Sequence, residues 1–154
     1  MPVQKLKEFL NGQGIRYITI GHSMAYTAQE IAASAHIPGR KLAKTVIVRI
    51  DGKLAMAVLN ANSSVDFDLL KKVAKATSVG LATEAEFEGI FPGCEVGAMP
   101  PFGNLYGIEV FADEALSQDR EIVFNAGTHA ELIRLSYSDF LRLAKPTVGK
   151  FSSR

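Results

Sequence analysis

The stretch at 42–60 constrains the fold more than any other part of the chain. Leu42-Ala43-Lys44-Thr45-Val46-Ile47-Val48-Arg49-Ile50 is one β-rich run, and Lys53-Leu54-Ala55-Met56-Ala57-Val58-Leu59-Asn60 is another. Asp51-Gly52 joins them. Asp-Gly between two such runs is a strong hairpin signal, because the tight turn needs positive φ at both central positions. A two-residue loop sets Ile50 opposite Lys53 and Lys44 opposite Leu59. Side chains alternate between faces along a strand. Lys44 then shares a face with Val46, Val48 and Ile50, and across the hairpin with Ala55, Ala57 and Leu59. Arg49 takes the opposite face, as a solvated charge would. An ammonium on an apolar face is costly to desolvate, so it calls for a carboxylate, a set of carbonyls or an anionic ligand. The plainer alternative is a lysine near a strand end, its stem over apolar surface and its head in water.

The 154 residues suit one domain with a real core, read here as 1–145, with 146–154 as a mobile C-terminal tail. Net charge is +1, so no overall basic field advertises nucleic acid, and any RNA contact must be local. The single cysteine, Cys94, excludes an internal disulfide and a cysteine-based zinc site and fits a reducing compartment. His22, His36 and His129 are scattered without ligand spacing, and neither a metal nor a cofactor is expected. The N-terminal segment has lysines but no apolar signal core, and no run is long enough to span a membrane. The expectation is a soluble cytoplasmic protein without a membrane or DNA partner.

Val3, Leu6, Phe9 and Leu10 recur at helical spacing, and Asn11-Gly12-Gln13-Gly14 ends that helix. Residues 15–20 read as a strand, and Gly21-His22-Ser23 as a turn. Thr27-Ala28-Gln29-Glu30 is a capping box for a helix to about Ala35, which Pro38-Gly39 breaks. After the hairpin, Ser64 or Asp66 caps a helix carrying Phe67, Leu70, Val73 and Ala74. Its other face holds Lys71, Lys72 and Lys75, the densest basic cluster in the chain. A solvated helix face accounts for such a cluster; contact with a phosphate backbone is the alternative. Residues 78–82 read as a short strand, and Thr83-Glu84-Ala85-Glu86 as a second capping box. Residues 91–107 form a Gly/Pro-rich loop, long for a simple connection. Strands follow at 106–111, 121–125 and 130–135, with a helical turn at 113–116 and a last helix from Ser136 through Leu143. Hairpins dominate over βαβ units, which argues a mixed or mainly antiparallel sheet with helices packed on it.

Several familiar sites are absent. Lys44-Thr45 opens a strand and lacks the glycines of a phosphate loop, and no Gly-x-Ser-x-Gly elbow occurs. Cys94 follows Pro-Gly and is a candidate nucleophile with His129, although a lone cysteine in such a loop is more often structural. His129, beside Gly127, is a candidate polar group at a site or a surface turn histidine.

Three segments together carry a resemblance: Ala43-Lys44-Thr45-Val46-Ile47-Val48, Gly97-Ala98-Met99-Pro100-Pro101-Phe102-Gly103, and Phe124-Asn125-Ala126-Gly127-Thr128-His129. In order and spacing they resemble the YbaK/proline-tRNA-synthetase-associated family, and Ala25-Tyr26-Thr27-Ala28-Gln29-Glu30 matches the helix start of its free-standing members. The resemblance covers the chain from the first helix to about Leu143. It implies an α/β fold of α+β type, a curved, mixed, mainly antiparallel sheet surrounded by helices. It also implies hydrolysis, in trans, of the ester between a wrong amino acid and tRNA. By the same resemblance Lys44 and Gly103 are the catalytic candidates. Thr45, Gly97, Pro101, Phe102, Gly127, Thr128 and His129 would line the substrate. The expected partner is the acceptor end of a mischarged tRNA, proline tRNA carrying alanine or cysteine, with a cognate synthetase as a further partner. The space beside Ala55 and Ala57 would admit an alanine-sized side chain. The alternatives are a non-catalytic module binding a tRNA end, a nucleotide or a synthetase, and a hydrolase using Cys94.

Overall fold

Asp51 and Gly52 both take positive φ, 48° and 85°, and close the hairpin as the Asp-Gly pair predicts. The register runs from Ile50 opposite Lys53 to Ala43 opposite Asn60 and places Lys44 opposite Leu59. This is a computed structural model, and it describes residues 4–21, 41–87, 89–95 and 97–153. The expected helix at 27–35 lies outside those residues.

The chain begins with α1 (Gln4–Gly12) and β1 (Tyr17–Gly21). The hairpin strands are β2 (Leu42–Ile50) and β3 (Lys53–Asn60), followed by β4 (Ser64–Val65), α2 (Phe67–Ala74), β5 (Val79–Leu81) and α3 (Glu84–Phe87). The long loop, with a single 3-10 turn at Gly103–Leu105, leads to β6 (Glu109–Asp113). A second 3-10 turn (Glu114–Gln118) precedes β7 (Glu121–Asn125), β8 (Glu131–Ser136), α4 (Tyr137–Ala144), β9 (Thr147–Gly149) and β10 (Ser152–Ser153).

The main sheet has the order β1-β8-β7-β2-β3-β6-β9, and β5 pairs with the far end of β2. Hairpin pairs are antiparallel, whereas β2–β7, β3–β6 and β6–β9 are parallel. The sheet is therefore mixed and mainly antiparallel, as expected. One face packs Ile47, Met56, Val110, Phe124 and Ile133 against Leu6 and Leu10 of α1 and Phe140 of α4. The other packs Val48, Ala55, Ala57, Leu59 and Phe111 against Leu70 of α2 and Phe151. Alternation along each strand assigns these two sets, so the binary pattern of the sequence becomes two cores.

Local chemistry fixes the helices. The Asp66 carboxylate caps α2 by accepting from the Leu69 amide at 3.1 Å. Thr83 and Glu86 form the expected capping box, with the Glu86 amide donating to the Thr83 hydroxyl and the Thr83 amide to the Glu86 carboxylate, both at 3.3 Å. Asp51 has a second role beyond the turn: its carboxylate accepts from the amides of Thr77 and Ser78 and so pins the entry to β5 against the hairpin.

The mobile tail expected at 146–154 is corrected. β9 extends the sheet beside β6, β10 pairs with β4, and the Phe151 side chain is fully buried. The Phe151 and Ser152 amides donate to one oxygen of the buried Asp113 carboxylate at 2.9 and 3.0 Å, and the Ser152 hydroxyl donates to the other at 2.9 Å. One phenylalanine in a polar segment thus anchors the chain end, a burial worth roughly 1.5–3 kcal/mol.

Candidate functional site

β2 and β7 run parallel, with Leu42 beside Val123 and Ala43 beside Phe124. One step further along the two strands come Lys44 and Asn125. Both therefore project from the face that carries Val48, Ala57 and Leu59. Lys44 is half-buried. Burial pulls its ammonium below the usual value of 10.5, and no carboxylate pushes it back. Among the described residues, none of the ion pairs involves it. Asn125 is 6% exposed, and its Oδ1 has no hydrogen-bond partner among the described residues. A desolvated cation and an unsatisfied amide oxygen thus stand side by side at the end of a parallel pair, where polar groups cost free energy unless something binds them.

Two residues beyond Asn125 the chain turns through Gly127, whose φ is 97°. This turn is bound to the segment 95–98. The Glu95 amide donates to the Gly127 carbonyl at 2.7 Å, and the Gly127 amide donates to the Ala98 carbonyl at 2.9 Å. The Glu95 carboxylate accepts from the His129 amide at 2.9 Å. Gly97 sits at φ 84°, and a Cβ placed on it would lie 3.4 Å from Cε1 of His129. The imidazole, 5% exposed in its residue as a whole, therefore rests against bare backbone. Thr128 Oγ1 accepts from the Ala130 amide and closes the turn. Gly97, Gly127, Thr128 and His129 come together as a single unit, and β7 carries that unit up to Lys44.

The other expected site residues stand elsewhere. Thr45 points to the opposite face from Lys44, paired with the buried Val58. Phe102 is fully buried among Phe9, Phe124 and Phe140, with ring centroids 5.5–6.0 Å apart. Pro101 is buried beside it. Gly103 is buried as well: its carbonyl accepts from the amides of Tyr106 and Ile108, and an added Cβ would meet the Ile108 carbonyl oxygen at 2.4 Å. Its small size serves a tight backbone crossing under Val110. Ala57 is fully buried in a core with Leu70, Phe111 and Phe151, whereas Ala55 also borders a pocket of about 230 Å³ with Leu54, Ala74 and Phe111 at the hairpin-turn end of the sheet.

Cys94 lies against Tyr106, Sγ to Oη at 3.5 Å. Burial pushes its thiol up, which disfavours the thiolate that a nucleophile needs. A cavity of about 370 Å³ under this loop is lined by Phe87, Phe91, Cys94 and Met99. Sequence reasoning missed two residues of the site. Asn125 had a visible signal, a carboxamide closing the run Ile122-Val123-Phe124. Glu95 had none, because its partner is 34 residues away.

The mixed sheet and the clamped glycine–histidine turn define an α/β domain in which the β2–β7 pair carries Lys44 and Asn125 side by side. Residues 22–143 match the family described as Aminoacyl-tRNA editing domain, and the chain belongs to that family. It is an aminoacyl-tRNA deacylase by class, an ester hydrolase. It is 26% identical over 153 residues to the Multifunctional Ser/Thr-tRNA deacylase ProXp-y of Escherichia coli K12, covering 96% of this chain and 91% of that one. Over 89 residues it is 30% identical to the Proline--tRNA ligase of Bacillus mycoides, spanning 58% of this chain and 16% of the ligase. A solved structure described as a proposed trans-editing enzyme for prolyl tRNA synthetase shares the fold, with a TM-score of 0.81 at 18% identity over 98% of this chain and 96% of that chain. Among the described residues no helix is long and apolar enough to cross a membrane.

Proposed function

We propose that the chain edits in trans, hydrolysing the ester of a small wrong amino acid, such as alanine or cysteine, on proline tRNA. The observation that carries this is the half-buried Lys44, without an ion-pair partner among the described residues, beside Asn125 on β7, the strand that leads into the clamped turn of Gly127 and His129. An aminoacyl ester is already activated, so water needs placement and the developing oxyanion needs a positive neighbour. Lys44 gains from an incoming phosphate or oxyanion, because a desolvated cation is stabilised by a neighbouring negative charge. Backbone at Gly97 and the side chain of His129 would hold the acyl end. Water adds to the carbonyl carbon, the ester C–O bond breaks, and the terminal ribose hydroxyl leaves with a proton. The double-sieve argument supplies the need: a synthetase pocket rejects a smaller residue by only about 1–3 kcal/mol per methylene.

Serine and threonine are a second candidate cargo. The E. coli relative is named for them, and the Oδ1 of Asn125, without a partner among the described residues, can accept from a hydroxyl. A cognate synthetase is the natural source of the mischarged tRNA, and the cytoplasm the natural place.

The test is deacylation of tRNA carrying alanine, cysteine, serine, threonine or proline by wild type and Lys44→Ala. Release of one small amino acid, lost in the variant, supports editing and names the cargo. Release that persists in Lys44→Ala removes the lysine from the mechanism. No release by wild type, with tRNA binding retained, would favour a binding module.

A further inference from the structure

The α2 helix packs Leu70 onto Val48, Ala55, Ala57 and Leu59, the sheet face from which Lys44 projects. Leu59 is the cross-strand neighbour of Lys44, and the C-terminal end of α2 leads through Thr77 and Ser78 to Asp51, so the helix lies along the face between the candidate site and the turn at the other end of the hairpin. The outward side of α2 carries Lys71 and Lys72 in its last turn and Lys75 at its C-cap, all exposed. Asp68, one turn earlier on the same helix, forms no ion pair with any of them, and no other described carboxylate does. Lys71 and Lys75 are four apart, a spacing at which like charges repel.

Lys75 has a second peculiarity. It adopts φ 54° and ψ 44°, the left-handed conformation that a helix C-cap usually gives to glycine. A side chain there strains the backbone, although a cation at a helix C-terminus is favoured by the helix dipole, and Lys145 ends α4 in the same conformation. In a chain of net charge +1, this concentrates cations on one edge of one face.

We propose that the Lys71, Lys72 and Lys75 face of α2 is a docking surface for the sugar–phosphate backbone of the tRNA acceptor duplex. It holds the duplex while the aminoacylated end reaches Lys44. The partner class rests on the deacylase reading above. Contacts to phosphate position a nucleic acid without reading its sequence. That suits an enzyme whose selectivity lies in the acyl group, and three lysines on one helix edge provide a local footprint without a basic protein.

Binding of uncharged tRNA tests this separately from hydrolysis. The variants are Lys71→Ala, Lys72→Ala, Lys75→Gly and the triple, with Lys145→Gly as a matched control. Lys145 is also a left-handed C-cap, φ 49°, but it ends α4 on the opposite face of the sheet. Lys75→Gly and Lys145→Gly should alter thermal stability alike, and only Lys75→Gly should weaken tRNA binding. In the triple variant the slope of log K against log salt should fall by about 2–3, at roughly 0.9 per lost phosphate contact. KM for mischarged tRNA should rise with kcat unchanged. The proposal is overturned if the triple variant binds tRNA with wild-type affinity and slope, if Lys145→Gly weakens binding as much as Lys75→Gly, or if wild type binds no tRNA. Absent hydrolysis with an intact lysine-dependent slope would overturn the catalytic reading and leave this surface standing.

Discussion

The Glu95 carboxylate accepts a 2.9 Å hydrogen bond from the backbone amide of His129, across 34 residues of sequence. With the two backbone bonds between Gly127 and the 95–98 segment, it fixes the turn that carries the imidazole against the glycine that the imidazole touches. Glu95 is exposed, so its removal spares the core. Glu95→Ala should lower kcat about 10- to 100-fold, the scale of a slight misplacement of a reacting group. Glu95→Gln keeps the accepting oxygen and should restore most of it. Steady-state kinetics with thermal melts check this. Equal kcat in both variants, or a collapse in stability matching the lost activity, would reduce Glu95 to a surface residue.

Two glycines of one loop should respond in opposite ways. At Gly97 a methyl group strains a backbone at φ 84° and fills the contact with the His129 ring, 3.4 Å from Cε1. Gly97→Ala should therefore cost activity strongly and stability by only about 1–2 kcal/mol. At Gly103 the methyl group meets the Ile108 carbonyl oxygen and Val110 in the core. Gly103→Ala should destabilise by about 2–4 kcal/mol, while the folded fraction keeps its kcat. Denaturant melts and active-fraction kinetics on both variants separate the two. A folded but inactive Gly103→Ala would restore this glycine to the catalytic set.

The hairpin, its register and the face taken by Lys44 were legible because Asp51-Gly52 fixes the turn and a period of two fixes the rest. The helix caps at Asp66, Thr83 and Ser136 were legible for the same local reason. The strand at 147–149 was not, because a three-residue parallel edge strand has no pattern of its own and is set by Phe151 and Asp113. Motif matching singled out Gly97, His129, Phe102 and Gly103 alike, and the structure sets Gly97 against His129 while burying Phe102 and Gly103. Those two share the loop yet point into the aromatic core, a distinction that needs the direction of each residue and not only its place in the chain.

Cys94 should be dispensable. Burial keeps it as a thiol with a pKa above the usual 9.0, and the contact with the Tyr106 hydroxyl offsets only part of that rise. Near neutral pH almost none is thiolate, so alkylation should be slow. Cys94→Ser should leave deacylation within about twofold of wild type, since a surviving activity needs no covalent step. Iodoacetamide treatment that abolishes activity in wild type but not in Cys94→Ser would instead place the thiol at the acyl group.

Lys44 should trade stability for function. Its folded-state pKa lies below the unfolded value near 10.5. Between those two values the unfolded chain binds more protons, so stability rises with pH across that window. Below it, the charged lysine opposes folding in full; above about 10.5 the penalty is gone. Lys44→Met keeps the stem and removes the charge. It should stabilise the protein by about 1 kcal/mol at neutral pH, a small gain because solvent still reaches the exposed half of the side chain. That is a rise of about 2–4 °C in a chain of this size. The gain should shrink as the buffer approaches about pH 10, and activity should be lost throughout. Thermal melts of both proteins across that range check the sign. A variant less stable than wild type at neutral pH, with a deficit that does not change with pH, would mean that the lysine is satisfied in the folded chain and is not held ready for an anion.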